Sequence, residues 1–349
     1  MASIELQNVT VKIGNNILLD NVSLKVDDGA YIGLLGPSNG GPSFVLKVIA
    51  GLLPIYSGKI FIDEVDVTDS HPEDRNVGFI FEQFNLFPHL TVLDNILYGP
   101  RVKGIDLTTK EREAKEVISM VRLENRESAL SKELSGGMQQ RTGIARAITA
   151  GAKILLLDQP YRALDAKIRE EMRFEIRELV KELGMTAIHS THETEEAMLT
   201  SDKIAVFNEG KLLQFDNPET VYKIPVNAFV AGFLAESNKF QVKVKDNSFI
   251  IENSKFIVDG YEDGEYVVII RQIDVDLTSE PLNVVNEFEC IIDKIRILGE
   301  FIRFTVTINN SLTIIVRELL SLERNNVKNL IGKRAYVNFR PDLIKLFLV

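Results

Sequence analysis

Ser135-Gly136-Gly137-Met138-Gln139 stands at the head of a predicted helix that runs on through Ile148. A helix N-terminus presents unpaired N–H groups and a partial positive charge, so it attracts phosphate. Two glycines let that backbone come close to an anion, because no side chain blocks it. Ser135 is also a residue type that simply caps helices, and that reading stays open here. Further on, Ile154-Leu155-Leu156-Leu157 closes on Asp158, with Gln159 next. An apolar strand buried on both faces delivers such a carboxylate to the carboxyl edge of a parallel sheet, where ligands bind. A purely structural carboxylate is the alternative. The two motifs in this order point to phosphate chemistry more strongly than either alone.

A second phosphate-type loop lies near the N-terminus. Tyr31 to Leu35 reads as a strand and leads into Gly36-Pro37-Ser38-Asn39-Gly40-Gly41-Pro42-Ser43. The stretch sits in register with the strand–loop–helix pattern G-x-x-x-x-G-K-[ST] at Gly36, Gly41 and Ser43. The lysine position holds Pro42, which supplies neither an N–H nor a charge. Phe44 follows where a small polar residue is expected. Proline is tolerated in the first turn of a helix, so the fold is expected to survive while phosphate affinity falls.

The elements that must position these groups follow from periodicity and turn chemistry. Residues 3–35 read as strands, with turns at Gly14-Asn15-Asn16 and Asp27-Asp28-Gly29. A short apolar helix spans 44–50 and ends at Gly51 and Pro54, and 58–68 reads as a strand pair. The strand from Val77 runs toward Glu82 and Gln83, ahead of a Phe84, Leu86, Phe87, His89 cluster that reads as core from the residues alone. Residues 91–150 read as mostly helical. A later amphipathic helix carries Ile168, Met172, Ile176 and Leu179 on one side. The strand Thr186 to Ser190 ends at Thr191-His192-Glu193, and 203–215 is a hairpin turning at Asn208-Glu209-Gly210. His192 taken alone would be read as a packed histidine; its place after an apolar strand favours function. From residue 239 the pattern changes to short alternating strands, with no strong helix before about residue 318, which suggests a small closed β-barrel. Residues 222–238 are the expected linker. The reading is α/β, a mixed sheet with helices and a helical subdomain over 1–235, followed by an all-β barrel over 236–349.

A chain of 349 residues suits two domains. A net charge of -10 argues against a general nucleic-acid binder, and no nucleic-acid partner is expected. The single cysteine, Cys290, excludes an internal disulfide and fits a reducing compartment. The N-terminus reads as an alternating strand, not a signal peptide. No apolar run approaches the roughly 20 residues of a membrane span, so any membrane role is expected to go through a partner.

On these motifs the chain resembles the ATP-binding subunit of ABC-type importers, in the molybdate/tungstate, iron, sulfate, polyamine and sugar branch. The resemblance implies a P-loop NTPase cassette followed by an OB-type barrel. It implies ATP and Mg2+ as ligands, held by Gly36, Pro37, Ser38, Asn39, Gly40, Gly41, Pro42, Ser43 and Phe44, with Ser43 and Asp158 toward the metal. Ser135, Gly136, Gly137 and Gln139 would be the signature loop offered to a second ATPase subunit, homo- or heterodimeric. Tyr161-Arg162-Ala163-Leu164-Asp165 is similar to the dimer-contact loop. His192 would be the switch histidine, and Gln159, Glu82 and His192 would occupy the catalytic positions. An integral membrane permease would be the other partner, holding the subunit peripherally at the cytoplasmic face.

Several positions depart from the family pattern. Pro42 replaces lysine, Glu82 a glutamine, Gln159 the water-positioning glutamate, Asn39 a glycine, and Ile13 lies where an aromatic ring would meet adenine. All belong to this subunit's own half-site, whereas the signature is intact. The expectation is a transport ATPase subunit with weak turnover of its own. A pseudo-ATPase that regulates transport, and a soluble ABC protein of another process, are the alternatives.

Overall fold

A computed structural model describes residues 2–320 and 327–349. The chain divides into two compact units, Met1–Lys223 and Ile224–Val349. In the first, β1 (Ile4–Ile13) pairs antiparallel with β2 (Asn16–Val26) across the Gly14 turn. Asn8 takes a positive φ of 51° and the register shifts there, so Ile4, Leu6, Val9 and Val11 all face the core despite the odd spacing. β3 (Tyr31–Leu35) is buried throughout and feeds the loop before α1 (Pro42–Ile49). Pro42 opens that helix, as its fixed φ and missing N–H permit. β4 (Ser57–Ile62) and β5 (Val65–Asp66) complete a four-stranded antiparallel sheet in the order β2-β1-β4-β5. Then come β6 (Val77–Ile80) and the helices α2 (Val92–Ile96), α3 (Tyr98–Val102), α4 (Leu107–Met120) and α5 (Gly136–Thr149). The unit continues through β7 (Ile154–Asp158), α6 (Ala166–Glu182), β8 (Thr186–Thr191), α7 (Thr194–Thr200), the hairpin β9 (Lys203–Asn208) and β10 (Lys211–Asp216), and α8 (Pro218–Lys223).

The second sheet is mixed, in the order β10-β9-β3-β8-β7-β6. It is parallel from β9 to β6, and β10 runs antiparallel. Leu35 pairs with Thr191, and Asp158 with Ser190. The loop after β3, the end of β7 and the end of β8 therefore meet at one carboxyl edge. Arg75, behind α1, donates to the carbonyls of Val48 and Ile49 at 2.9 and 3.0 Å and so satisfies the last turn of the phosphate-loop helix.

The second unit opens with α9 (Ala228–Leu234), whose Asn227 caps the Val230 N–H and whose Val230, Ala231 and Leu234 are buried. Much of the expected linker is thus ordered helix. The strands are β11 (Ser237–Val244), β12 (Ser248–Ile251), β13 (Ser254–Ile257), β14 (Gly264–Arg271), β15 (Val275–Thr278), β16 (Glu287–Leu298), β17 (Phe301–Ile308), β18 (Leu312–Leu319), β19 (Arg334–Phe339) and β20 (Lys345–Leu348). They form three antiparallel sheets: β11-β14-β20, β12-β13 and β15-β19-β16-β17-β18. Strict alternation in β17 buries Ile302, Phe304, Val306 and Ile308 against Phe256 and Phe339. Among the described residues, side-chain hydrogen bonds join sheet edges that no backbone ladder pairs. The edges β15 and β18 are joined by the Glu318 carboxylate, which accepts the Leu277 N–H at 3.2 Å. The Asn238 side chain on β11 exchanges two 2.9 Å hydrogen bonds with the Ile315 backbone of β18. Helix beginning near 318 is not what the structure has: β18 stays extended to Leu319, and 321–326 lie outside the described residues.

One feature of the first core bears on stability. His189 on β8 is fully buried, and its Nε2 lies 3.5 Å from Glu196 Oε1 on α7, itself almost buried. Desolvation pushes the His189 imidazole down to about 3 and the Glu196 carboxyl up to about 8. The two are therefore a neutral pair at pH 7, not a salt bridge, and the Tyr31 and Tyr161 hydroxyls in the same cluster, 3.3 Å apart, stay protonated. Because the folded state keeps the Glu196 proton that the unfolded chain releases, this carboxyl stabilises the fold at low pH and loses that effect as pH rises through about 8. Glu196→Gln is expected to gain roughly 1–3 kcal/mol over the parent between mildly acidic and mildly alkaline pH. Urea unfolding of both proteins across that range checks it; parallel pH profiles would refute it.

Candidate functional site

At the carboxyl edge of the mixed sheet, Asp158 Oδ1 accepts two hydroxyl hydrogen bonds of 2.6 Å, one from Ser43 at the start of α1 and one from Ser190 at the end of β8. Ser190 is buried; its hydroxyl also accepts the Gln159 N–H at 3.1 Å, and its carbonyl accepts the same N–H at 3.2 Å. These bonds hold Gln159 at φ 47°, a left-handed conformation that a residue with a Cβ adopts only when its surroundings impose it. Ser190 is a site residue that the sequence reading missed. Its signal was weak, a hydroxyl residue near the end of a buried strand that also carries Thr186, His189 and Thr191.

Gly36, Pro37, Ser38, Pro42, Ser43, Gln159, Ser190, Thr191 and His192 line a cleft with a volume of about 10 Å³, room for about one water. No lysine or arginine is among those residues. Within the phosphate loop, the Gly40 N–H donates to Pro37 O at 2.7 Å and the Phe44 N–H to Gly41 O at 2.9 Å. Gly41 sits at φ 121°, which only glycine adopts without strain. Asn39, by contrast, is not among the left-handed residues, so it needs no tolerance of positive φ. His192 is exposed at the cleft's edge, and Ile13 is 58 % exposed at the end of β1, offering an aliphatic face.

β6 ends at Ile80, so Glu82 and Gln83 lie in the following turn and not on the strand. Glu82 instead meets Arg162 of the loop after β7, Oε1 to Nη1 at 3.4 Å, and the same Nη1 donates to Gln159 Oε1 at 3.2 Å. The aromatic cluster that follows is divided. Phe84 is core, while Phe87 is half-buried against the Tyr98 ring, with centroids 4.2 Å apart.

The signature segment is built as a helix start. Ser135 caps α5, accepting the Met138 N–H at 3.4 Å, and is exposed. A Cβ at Gly136 would sit 2.7 Å from the Cδ2 end of the Leu164 side chain, which packs on the helix start there. Gln139 turns back and donates to the carbonyls of Ser131 and Leu134 at 3.2 and 3.3 Å. Asp165 caps α6 through the Ile168 N–H at 3.1 Å. The signature helix and the Asp165 loop are thus locked together through Leu164.

The donor set fits a divalent ion carried in with phosphate. A serine hydroxyl and a carboxylate suit Mg2+, and among the described residues no cluster of three His, Cys, Asp or Glu side chains would hold a metal without phosphate oxygens. Ser43 and Asp158 would hold that ion, which would supply positive charge against the phosphate when bound. The phosphate loop fits in backbone course but brings no cation.

The ABC transporter family profile matches residues 19–162. The sulfate/thiosulfate import ATP-binding protein CysA 2 of Shewanella oneidensis is 35 % identical over 99 % of both chains. The ferric-ion import ATP-binding protein FbpC of Photorhabdus laumondii is 40 % identical over 68 % of each. A dimeric ATP-binding cassette solved in a post-hydrolysis state with ADP and phosphate superposes with a TM-score of 0.54 at 31 % identity, covering 62 % of this chain and 98 % of that one. With a relative of this identity along essentially its whole length, a cassette fold and the phosphate-directed sheet edge described above, the chain belongs to the ABC transporter family, as the ATP-binding subunit of an importer.

Proposed function

We propose that this subunit couples ATP to solute import as one half of an asymmetric pair, in which its signature loop serves the nucleotide of a catalytically complete partner. The observation that carries this reading is the unequal state of its two nucleotide-facing surfaces. The cleft around Ser43 and Asp158 has no lysine or arginine in its lining, a proline that donates no N–H, and an amide at Gln159 that cannot take a proton from water. The Ser135 helix start keeps its capped geometry, its glycines and the Asp165 loop packed behind it. A charge-assisted contact contributes about 1.5–3 kcal/mol, so losing the lysine, the glutamine and the glutamate together removes most of the turnover expected of the subunit's own half-site. ATP and Mg2+ remain the ligands, held more weakly here than at the partner's site.

The second partner is an integral membrane permease. Among the described residues no helix is long and apolar enough to cross a membrane, and peripheral attachment at the cytoplasmic face through the permease follows from the importer reading. An open cavity of about 800 Å³ lined by Tyr98, Gly99 and Val102 and by Glu73, Asp74, Asn76 and Lys103 offers a mixed surface for it. The second unit, with its small antiparallel sheets, is read as an OB-type regulatory domain, and the functional division is placed at 235/236. The relatives' names give an oxyanion and a ferric ion as cargo, so import is proposed at the level of a small solute.

Two experiments test the asymmetry. Mixed with a complete ATPase subunit and its permease, the chain is expected to support ATP turnover that Ser135→Arg lowers about tenfold or more, since an added side chain and charge block the N–H groups that meet the partner's phosphate. Unchanged turnover in the mixed complex would end the donor reading. In the isolated chain, turnover is expected to be near background, and Pro42→Lys with Glu82→Gln and Gln159→Glu should raise it by about two orders of magnitude or more. An isolated parent chain that hydrolyses ATP as fast as the triple variant would contradict the impaired half-site.

A further inference from the structure

We infer that Arg162 supplies this half-site with the cation that its phosphate loop lacks, and that its guanidinium takes the terminal phosphate of a bound nucleoside triphosphate. The inference deepens the reading above, since it rests on the half-site still admitting a nucleotide weakly.

The lining of the cleft carries no lysine or arginine. A tetra-anionic triphosphate entering it would meet backbone N–H groups, hydroxyls and the Asp158 carboxylate, a balance that disfavours the terminal phosphate. The cation nearest along the site's polar chain is Arg162, whose Nη1 lies 3.2 Å from the Oε1 of Gln159, itself a lining residue. Arg162 is therefore one hydrogen bond beyond the cleft wall, on the side that carries Gln159 and not on the side of the phosphate loop.

What holds Arg162 there is weak. Its carboxylate partner Glu82 is 3.4 Å away, and the two side chains are 54 % and 41 % exposed. Exposed pairs of this kind contribute about 0–1 kcal/mol, and neither contact is bidentate. A phosphate dianion offers the guanidinium paired oxygens in a geometry that matches its fork of donors. Phosphate therefore outcompetes Glu82 for Arg162, and release needs only side-chain rotation. Gln159 is left with its backbone bonds to Ser190, so the wall of the cleft stays in place when Arg162 swings.

Glu82 then acquires a role distinct from catalysis. It parks the guanidinium outside the cleft when no triphosphate is present, and its negative charge works against phosphate entry. This predicts discrimination: ATP, whose terminal phosphate reaches the Gln159 side, gains from Arg162, and ADP does not.

The test is equilibrium titration of the full-length chain with ATP and with ADP, in the presence of Mg2+, by calorimetry. Thermal unfolding of each variant verifies that it is folded. For the parent, ATP is expected to bind more tightly than ADP. Arg162→Ser should weaken ATP about tenfold and change ADP less than about twofold, Arg162→Lys should keep part of the preference, and Glu82→Gln should tighten ATP severalfold. An ATP-to-ADP affinity ratio that Arg162→Ser leaves unchanged overturns the assignment. So does a folded parent that binds neither nucleotide up to millimolar concentration, an outcome that leaves the signature-donor reading standing.

Discussion

The two hydroxyl hydrogen bonds on Asp158 Oδ1 are the constraint on which the site depends. They tie three chain segments that are far apart in sequence: the start of α1 through Ser43, the end of β7 through Asp158 and the end of β8 through Ser190. Parallel pairing makes this possible. Strands that run the same way end at the same edge, and the registers Leu35 with Thr191 and Asp158 with Ser190 bring all three ends to one level. Ser190 adds a second function by holding the Gln159 backbone in its left-handed turn.

Around that tie the site is uneven in charge. Carboxylates stand at Asp158 and Glu82, an amide stands at Gln159, and the guanidinium that balances them sits outside the cleft. The lysine position has become the first residue of a helix, where proline is stable for the same reasons that it is a poor phosphate ligand: a fixed φ and no N–H. The folding requirement and the binding requirement have separated at this residue. On the opposite side of the cassette they coincide. Ser135 satisfies an orphan N–H and opens the helix, and Leu164 packs over Gly136, so the helix start that would present N–H groups to a phosphate is also capped and packed.

Legibility followed the length scale of each interaction. The strands, the Gly14 and Gly210 turns, the α1 start at Pro42 and the signature helix were readable because they follow from local periodicity and from residues with narrow backbone preferences. Glu82 was legible as a residue type at a motif position, but its surroundings were not: β6 ends at Ile80, and the turn that follows sets Glu82 beside Arg162. The barrel was read from strand alternation, but alternation does not say which edges pair. Closure through Glu318 and Asn238 involves residues on strands distant in sequence. The helix α9 within the expected linker was not read, because its buried face is one that a search for turn-rich linkers passes over.

By itself the sequence determined which residue types stand in the glycine-rich loop and after the apolar strand, including a proline at 42 and an amide at 159. It also determined the family, because short motifs of glycine, serine and aspartate are set by backbone approach and charge that few other residues supply. Tertiary structure alone decided that Ser190 joins the site, that His189 and Glu196 are a neutral buried pair, and that Arg162 stands between Glu82 and Gln159. Asp158 with Ser190 and Glu82 with Arg162 are separated by tens of residues, while His189 and Glu196 meet across the turn from a buried strand into a helix. The long-range contacts depend on sheet order and strand register, and no local pattern encodes those.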